Sequence, residues 1–262
     1  MHSLIKMGFL SWSPVETNVR ANMLIDRLGE SAVGKSGSKT PASGPTKGQR
    51  TREEIVNRAT RIAGEEGLGA ISIGRLAKEL RMTKSGLFVH FGSKDKLEAA
   101  VVARAADIFH GHILDPAEEE AEAGIERVWA LCDFGLEFVE KRVLPGGYFF
   151  TGAFFLHAGQ DGFISRQSRE VARAWLKALR KAVDEARRRG EIRIAVNAKR
   201  TAFELNSLLL GAQWSRLLDG LDYSRARSAI LTKFKSLATE KLPADAFDSV
   251  MAWQRYLETR PK

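Results

Sequence analysis

The chain has 262 residues, enough for one large domain or two small ones, with ordinary apolar content and a net charge of +9. Its one cysteine, Cys132, excludes an internal disulfide, no apolar run approaches the roughly 18 residues of a membrane span, and residues 1–12 lack the continuous apolar stretch of a signal peptide, so a cytoplasmic protein with no membrane partner is expected. The excess of cations suits a polyanionic partner, but residues 101–150 are acidic through Glu118, Glu119, Glu120 and Glu122, which points to a local basic patch rather than to a general affinity for polyanions.

Residues 1–45 end in a tract rich in Gly, Ser, Pro and Lys that buries little, and they read as a basic tail, with Met7 and Met23 as alternative starts. Its lysines and the adjoining Arg50 are placed to meet phosphates. Thr51 and Glu54 fit a capping box, so order is expected to begin at Thr51, and Ile55, Ala59, Ile62 and Ala63 follow at helical spacing until Gly67 and Gly69 stop the helix. Further helices are predicted over 72–80, 84–91 and 93–113, with Pro116 as a break. Residues 118–142, 164–189, 198–218 and 223–240 read as longer helices, with Pro145-Gly146-Gly147, Gly190 and Gly220 between them, and a weaker helix spans 244–258. There is no run of alternating strands and no internal repeat, so the fold class is all-α.

The stretch 71–91 carries the functional argument. Ile73, Leu76, Ala77 and Leu80 form one apolar face of a short helix, and Arg81–Thr83 is long enough only for a tight turn. Thr83 caps the next helix, which Leu87, Phe88 and Phe91 are expected to anchor inward. Lys84, Ser85, Gly86, Val89 and His90 then remain towards the outer face. Small polar and basic groups at the start of a short helix are what entry to a DNA groove requires. Ser72, opening the preceding helix, and Lys94, just beyond the second, are positioned as phosphate contacts, and Thr51 joins them at the start of the first helix. A generic helical hairpin is the alternative.

Residues 51–100 resemble the TetR/AcrR family of bacterial regulators. The pattern appears as Ile73-Gly-Arg-Leu76-Ala77, Met82-Thr83, Leu87-Phe88-Val-His90-Phe91 and Lys94-Asp-Lys-Leu97. The resemblance implies a three-helix DNA-binding domain at 46–98, a larger helical ligand-binding and dimerisation domain at 99–242, a C-terminal extension at 243–262, and usually repression relieved by a small molecule. It also implies a tyrosine at position 88, whose hydroxyl commonly donates to a DNA phosphate. Phe88 keeps the packing and loses that bond, a difference of roughly 0.5–3 kcal/mol.

Beyond residue 115 the reading rests on pattern. The predicted helix over 198–218 is apolar around most of its circumference, through Phe203, Leu209, Leu210, Trp214 and Leu217 among others, and the next carries Ile230 and Phe234. Two such helices either pair with their copies in a four-helix interface or are buried within one subunit. A two-fold dimer presents two recognition helices to a palindrome. Tyr148, Phe149, Phe154 and their neighbours form an aromatic cluster, with Trp129, Phe134, Phe138 and Trp175 available from other helices and His157, Gln160, Tyr148 and Asn206 as polar groups. These residues suit either core packing or a pocket for an apolar or aromatic effector.

Other chemistry is poorly supported. His110 and His112, two apart, do not share a helical face, and there is no second cysteine to complete a metal site. Gly34-Lys35-Ser36 lacks the context of a phosphate-binding loop. No cofactor is expected. An all-α enzyme using His157 and Asp161 is the remote alternative, and a DNA-binding activator or chromosome-organising factor of the same fold the nearer one. The run Arg187-Arg188-Arg189 reads either as a solvated helix end or as a second DNA contact.

Overall fold

The computed structural model describes residues 46–145, 149, 152, 162–219 and 223–259, with the side chains at 217 and 219 outside that set. Residues 1–51 and 52–262 form two units, and the first is described from Thr46 to Thr51. There the chain enters α1 (Lys47–Glu66). The capping box expected at Thr51 forms more than a turn earlier: the Thr46 hydroxyl accepts from the Gln49 N–H at 3.2 Å, and the Gln49 side chain accepts from the Thr46 N–H at 2.7 Å. Glutamine serves the return position as well as glutamate does. Thr51, already inside the helix, donates its hydroxyl to the Lys47 carbonyl at 3.1 Å.

In the second unit, Ile55, Ala59, Ile62 and Ala63 form the buried face of α1, as their spacing predicts. The helix stops at Gly67, whose φ of 88° a side chain would strain. After a 3₁₀ turn (Leu68–Ala70), α2 (Ile73–Glu79) starts where the Ser72 hydroxyl accepts from the Arg75 N–H at 3.2 Å. The turn that follows is closed by the Met82 N–H donating to the Ala77 carbonyl at 2.8 Å, which places Arg81 in the left-handed region at φ 53°. Next come α3 (Lys84–Phe91), ended by the left-handed Gly92, and α4 (Lys94–Phe109), capped by Ser93. Leu76, Leu87 and Leu97 join Ile55, Ile62 and Ile71 in a core without solvent exposure. Each contributes about 1.5–3 kcal/mol through burial.

Pro116 does not break the chain. A wide π-type turn (His110–Leu114) leads straight into α5 (Asp115–Glu120), and the proline sits in the first turn, where a missing N–H costs nothing. The helix expected over 118–142 begins only at Ile125, giving α6 (Ile125–Glu140). Gly124 interrupts it at φ 112°, and the space a side chain would need there is taken by the Glu191 carboxylate, which accepts from the Ile125 N–H at 2.8 Å. The rest of the described chain is α7 (Phe163–Arg188), α8 (Ala198–Asp219), α9 (Ser224–Leu237), a 3₁₀ turn (Ala244–Phe247) and α10 (Val250–Thr259). An isolated antiparallel bridge joins Ile192 to Ala238.

Val128, Leu136, Leu179, Val183 and Leu205 make the larger core. The segment expected as an extension belongs to it: Trp253 of α10 is fully buried, stacked on Phe247 at 5.3 Å between ring centroids and packed on Trp129 and Phe234 at 6.1 Å each. Cys132 is buried too, and that burial holds its thiol far above the ordinary range. Among the described residues, no helix is long and apolar enough to cross a membrane.

Candidate nucleic-acid interface

The start of α3 is built from small residues for identifiable reasons. The Thr83 hydroxyl accepts from the Gly86 N–H at 3.0 Å and lies 3.3 Å from the Ser85 hydroxyl, so Thr83 positions the helix. A side chain at Gly86 would come within 3.0 Å of that oxygen. The aliphatic stem of Lys84 passes over Gly74 of α2, where a Cβ would already touch it at 3.4 Å. Lys84 and Ser85 are exposed at the helix N-terminus, the end whose dipole favours phosphate.

Leu87 and Phe91, four apart, hold α3 down, and that geometry corrects one expectation. Phe88 lies about 100° around the helix from Leu87 and faces outward rather than inward, 49% exposed. Val89 beside it is 83% exposed. His90 is half-buried against Phe91.

A network of charge pairs fixes α2 on α1. Arg75 grips Glu66 through two bonds of 2.6 and 2.7 Å and reaches Glu79 at 2.9 Å, while Arg58 meets Glu79 at 2.5 Å. The hydrogen bonds from Arg75 hold both carboxyls below their usual range. Arg52 lies 4.9 Å over the Phe91 ring, and Arg104 of α4 donates to Asn57 of α1 at 2.9 Å. Sequence reasoning missed this scaffold. Its one local signal was the four-residue spacing of Arg75 and Glu79.

Lys94 is exposed at the start of α4 but sits 3.3 Å from Glu98, so any phosphate contact competes with that pair. Ser72 is exposed with its hydroxyl engaged as a cap. Lys78, Arg81 and Lys96 are also exposed and add cations that the sequence reading did not single out. Arg50 is not on a tail: it lies in the first turns of α1, its N–H bonded to the Thr46 carbonyl at 3.0 Å, and with Thr51 it belongs to the first unit.

A second group gathers between α4, α6, α7 and α8. The Trp175 indole donates to the Asn206 side chain at 2.9 Å, and Phe109 meets Trp175 and Phe138 edge-on at 5.9 and 5.8 Å. Phe134 packs on the same core half-buried, and Phe149 is buried. Phe109 falls in the half expected to bind a ligand, but nothing local sets it apart; only the packing of α4 against α6 and α7 brings it to Phe138 and Trp175. Trp129 is a correction: it lies in the other aromatic cluster, sealed under Trp253. Tyr148, Phe154 and His157 lie outside the described residues.

The expected dimer residues divide. Phe203 and Trp214 are about two-thirds exposed, at 66% and 65%, on one face of α8 with Leu210 and Leu218. Leu209, Ile230 and Phe234 are corrections, because all three are buried in the core of a single chain and present nothing to a second copy. The side chain of Leu217 is outside the described set. The arginine run is engaged within the chain: Arg187 with Asp184 at 2.8 Å and the Ile194 carbonyl at 2.9 Å, Arg188 with the Asp184 carbonyl, and Arg189 with Glu191 at 3.0 Å.

Comparison with known proteins bears on both halves. Residues 55–101 match the family model described as bacterial regulatory proteins, tetR family, and residues 124–230 match the tetracyclin repressor-like C-terminal domain, together more than half of the chain. An HTH-type transcriptional regulator of Staphylococcus aureus (strain USA300) is 30% identical over 97 residues, 37% of this chain and 52% of the relative. The chain thus spans about half the length of such curated relatives. The fold is similar to that of a TetR-family transcriptional regulator from Cytophaga hutchinsonii, with TM-score 0.67 and 14% identity over 76% of this chain and 100% of the other. It is also similar to AibR in complex with isovaleryl coenzyme A and operator DNA, with TM-score 0.55 and 21% identity over 71% and 97% of the two chains.

Proposed function

We propose, for a chain that belongs to the TetR family of bacterial regulatory proteins, that this transcriptional regulator acts as a repressor, binding a palindromic operator as a homodimer and leaving it when a small apolar or aromatic molecule binds. The observation that carries the reading is α3 itself. It is capped by Thr83, locked from below by Leu87 and Phe91, and it exposes Lys84, Ser85, Phe88 and Val89 among the cations Lys78, Arg81, Lys94 and Lys96. Those side chains are suited to base edges and phosphates, and the surface charge network around Arg75 ties the helix before them to α1.

The effector part of the proposal rests on Phe109, Phe138, Trp175 and Asn206, an aromatic group with one polar side chain. AibR, a protein of similar fold, is complexed with isovaleryl coenzyme A and with operator DNA, which supports the same two kinds of partner here, a small molecule and DNA. The dimer part rests on the exposed face of α8.

Genome-wide mapping of bound sites tests the whole reading, because the neighbouring genes indicate the effector class. A few sites, one in the protein's own upstream region and released by an aromatic compound, are expected. Many dispersed sites with no ligand response would replace the repressor by a chromosome-organising factor.

A further inference from the structure

Phe88 and Val89 stand out on a surface otherwise built of charge. They are large apolar side chains left in solvent on α3, while its Leu87 and Phe91 are buried. At positions three and four beyond Ser85, they share one face of the helix with that hydroxyl. The exposed cations Lys78, Lys84, Lys94 and Lys96 lie on this helix or on those adjoining, and Arg81 in the turn before it. An apolar pair with a small hydroxyl, flanked by cations, matches the chemistry of a major groove. Phosphates line its rim, and its floor carries hydrogen-bonding base edges together with one apolar group, the 5-methyl of thymine, which no other base presents there.

We infer that Phe88 and Val89 read thymine methyl groups and thereby set part of the operator preference. Phe88 has no hydroxyl to give to a phosphate, so contact through its ring is what the side chain offers DNA. Val89 ends in two methyl groups that suit the same contact. The inference rests on the DNA-binding reading above and assigns base discrimination to two residues within it.

The test uses the full chain and an operator selected from random duplex DNA. Each thymine in the selected site is then replaced singly by deoxyuridine, which removes the methyl and leaves the hydrogen-bonding edges intact. Removing one buried methyl is expected to weaken binding about fourfold, at one or two positions in each half-site. Val89→Ala or Phe88→Ala should abolish the uracil effect at the position that each residue reads. Val89 is largely and Phe88 half exposed, so both variants should remain folded, as their thermal unfolding would show. A selected site that tolerates uracil everywhere, or variants that keep the parental uracil response, would overturn the inference and leave the regulator reading intact. Selection of no preferred sequence would overturn both. Variants that change self-association instead would assign the patch to a protein contact and overturn the inference as well.

Discussion

Lys94 opens α4 with its exposed ammonium 3.3 Å from the largely covered Glu98 carboxylate. Its value is expected to lie in neutralising a phosphate. Lys94→Ala should weaken binding by a similar factor on every sequence and reduce the slope of log affinity against log salt by about one. Titration at four salt concentrations reads this directly, and an unchanged slope rejects the assignment. Asp107, on the same helix, poses a different problem. Burial pushes its carboxyl up to about 6, against a smaller opposing pull from Arg104. A carboxyl whose folded value lies above its unfolded one favours folding at low pH and loses that contribution as pH rises through the interval to 6. Asp107→Asn should therefore be more stable than the parent at pH 7.5, by on the order of 1–2 kcal/mol after allowance for the solvent that reaches the site, and the gain should vanish near pH 4. Melting temperatures at the two values decide it, and equal gains at both would place the cause elsewhere.

At the scale of elements, the turn between α2 and α3 contains a visible strain. Arg81 holds φ 53°, the left-handed region that a glycine occupies freely and a residue with a Cβ does not. Arg81→Gly should stabilise the chain by about 1 kcal/mol, the relief of the left-handed conformation less the entropy a glycine loses. Denaturant unfolding would show a raised midpoint with unchanged slope, and a lowered midpoint would refute the account. The same turn shows what was legible in advance. The bounds of α3 follow from Thr83 at one end and Gly92 at the other, and the buried side of α1 from Ile55, Ala59 and Ile62, because caps and periodicity are local physics. The start of α6 was not legible, since the group that caps Ile125 is Glu191, far along the chain. Phe88 was misread for a related reason. Its apolar character suggested burial, whereas its angular distance from Leu87 decides its direction. Leu209, Ile230 and Phe234 show the limit again: apolar spacing says that a side chain is buried, not whether its own chain or a second copy buries it.

For the whole molecule the question is what covers α8. Its inner face, with Ala202, Leu205 and Leu209, packs within the chain, while Phe203, Leu210, Trp214 and Leu218 line the opposite face in solvent. Ser207 and Gly211 lie exposed between them, and open space surrounds Gly211, so a second helix has room to approach closely. An apolar face this continuous on one helix is the kind of surface that a second copy covers, and a two-fold axis makes every contact on it count twice. Aromatic anchors of this sort typically contribute about 2 kcal/mol each. Trp214→Glu, which removes one from both subunits and introduces two facing charges, should weaken self-association on the order of a thousandfold. Trp214→Phe should largely retain it. Sedimentation equilibrium provides the measurement, with circular dichroism to show that both variants remain helical. The consequence for DNA follows from geometry: a monomer engages one half-site, so binding of the Glu variant to a full palindrome should fall to the level of a half-site duplex. A parent chain that sediments as a monomer, or a Glu variant that remains a dimer, would remove α8 from the interface and leave its outer face to another partner.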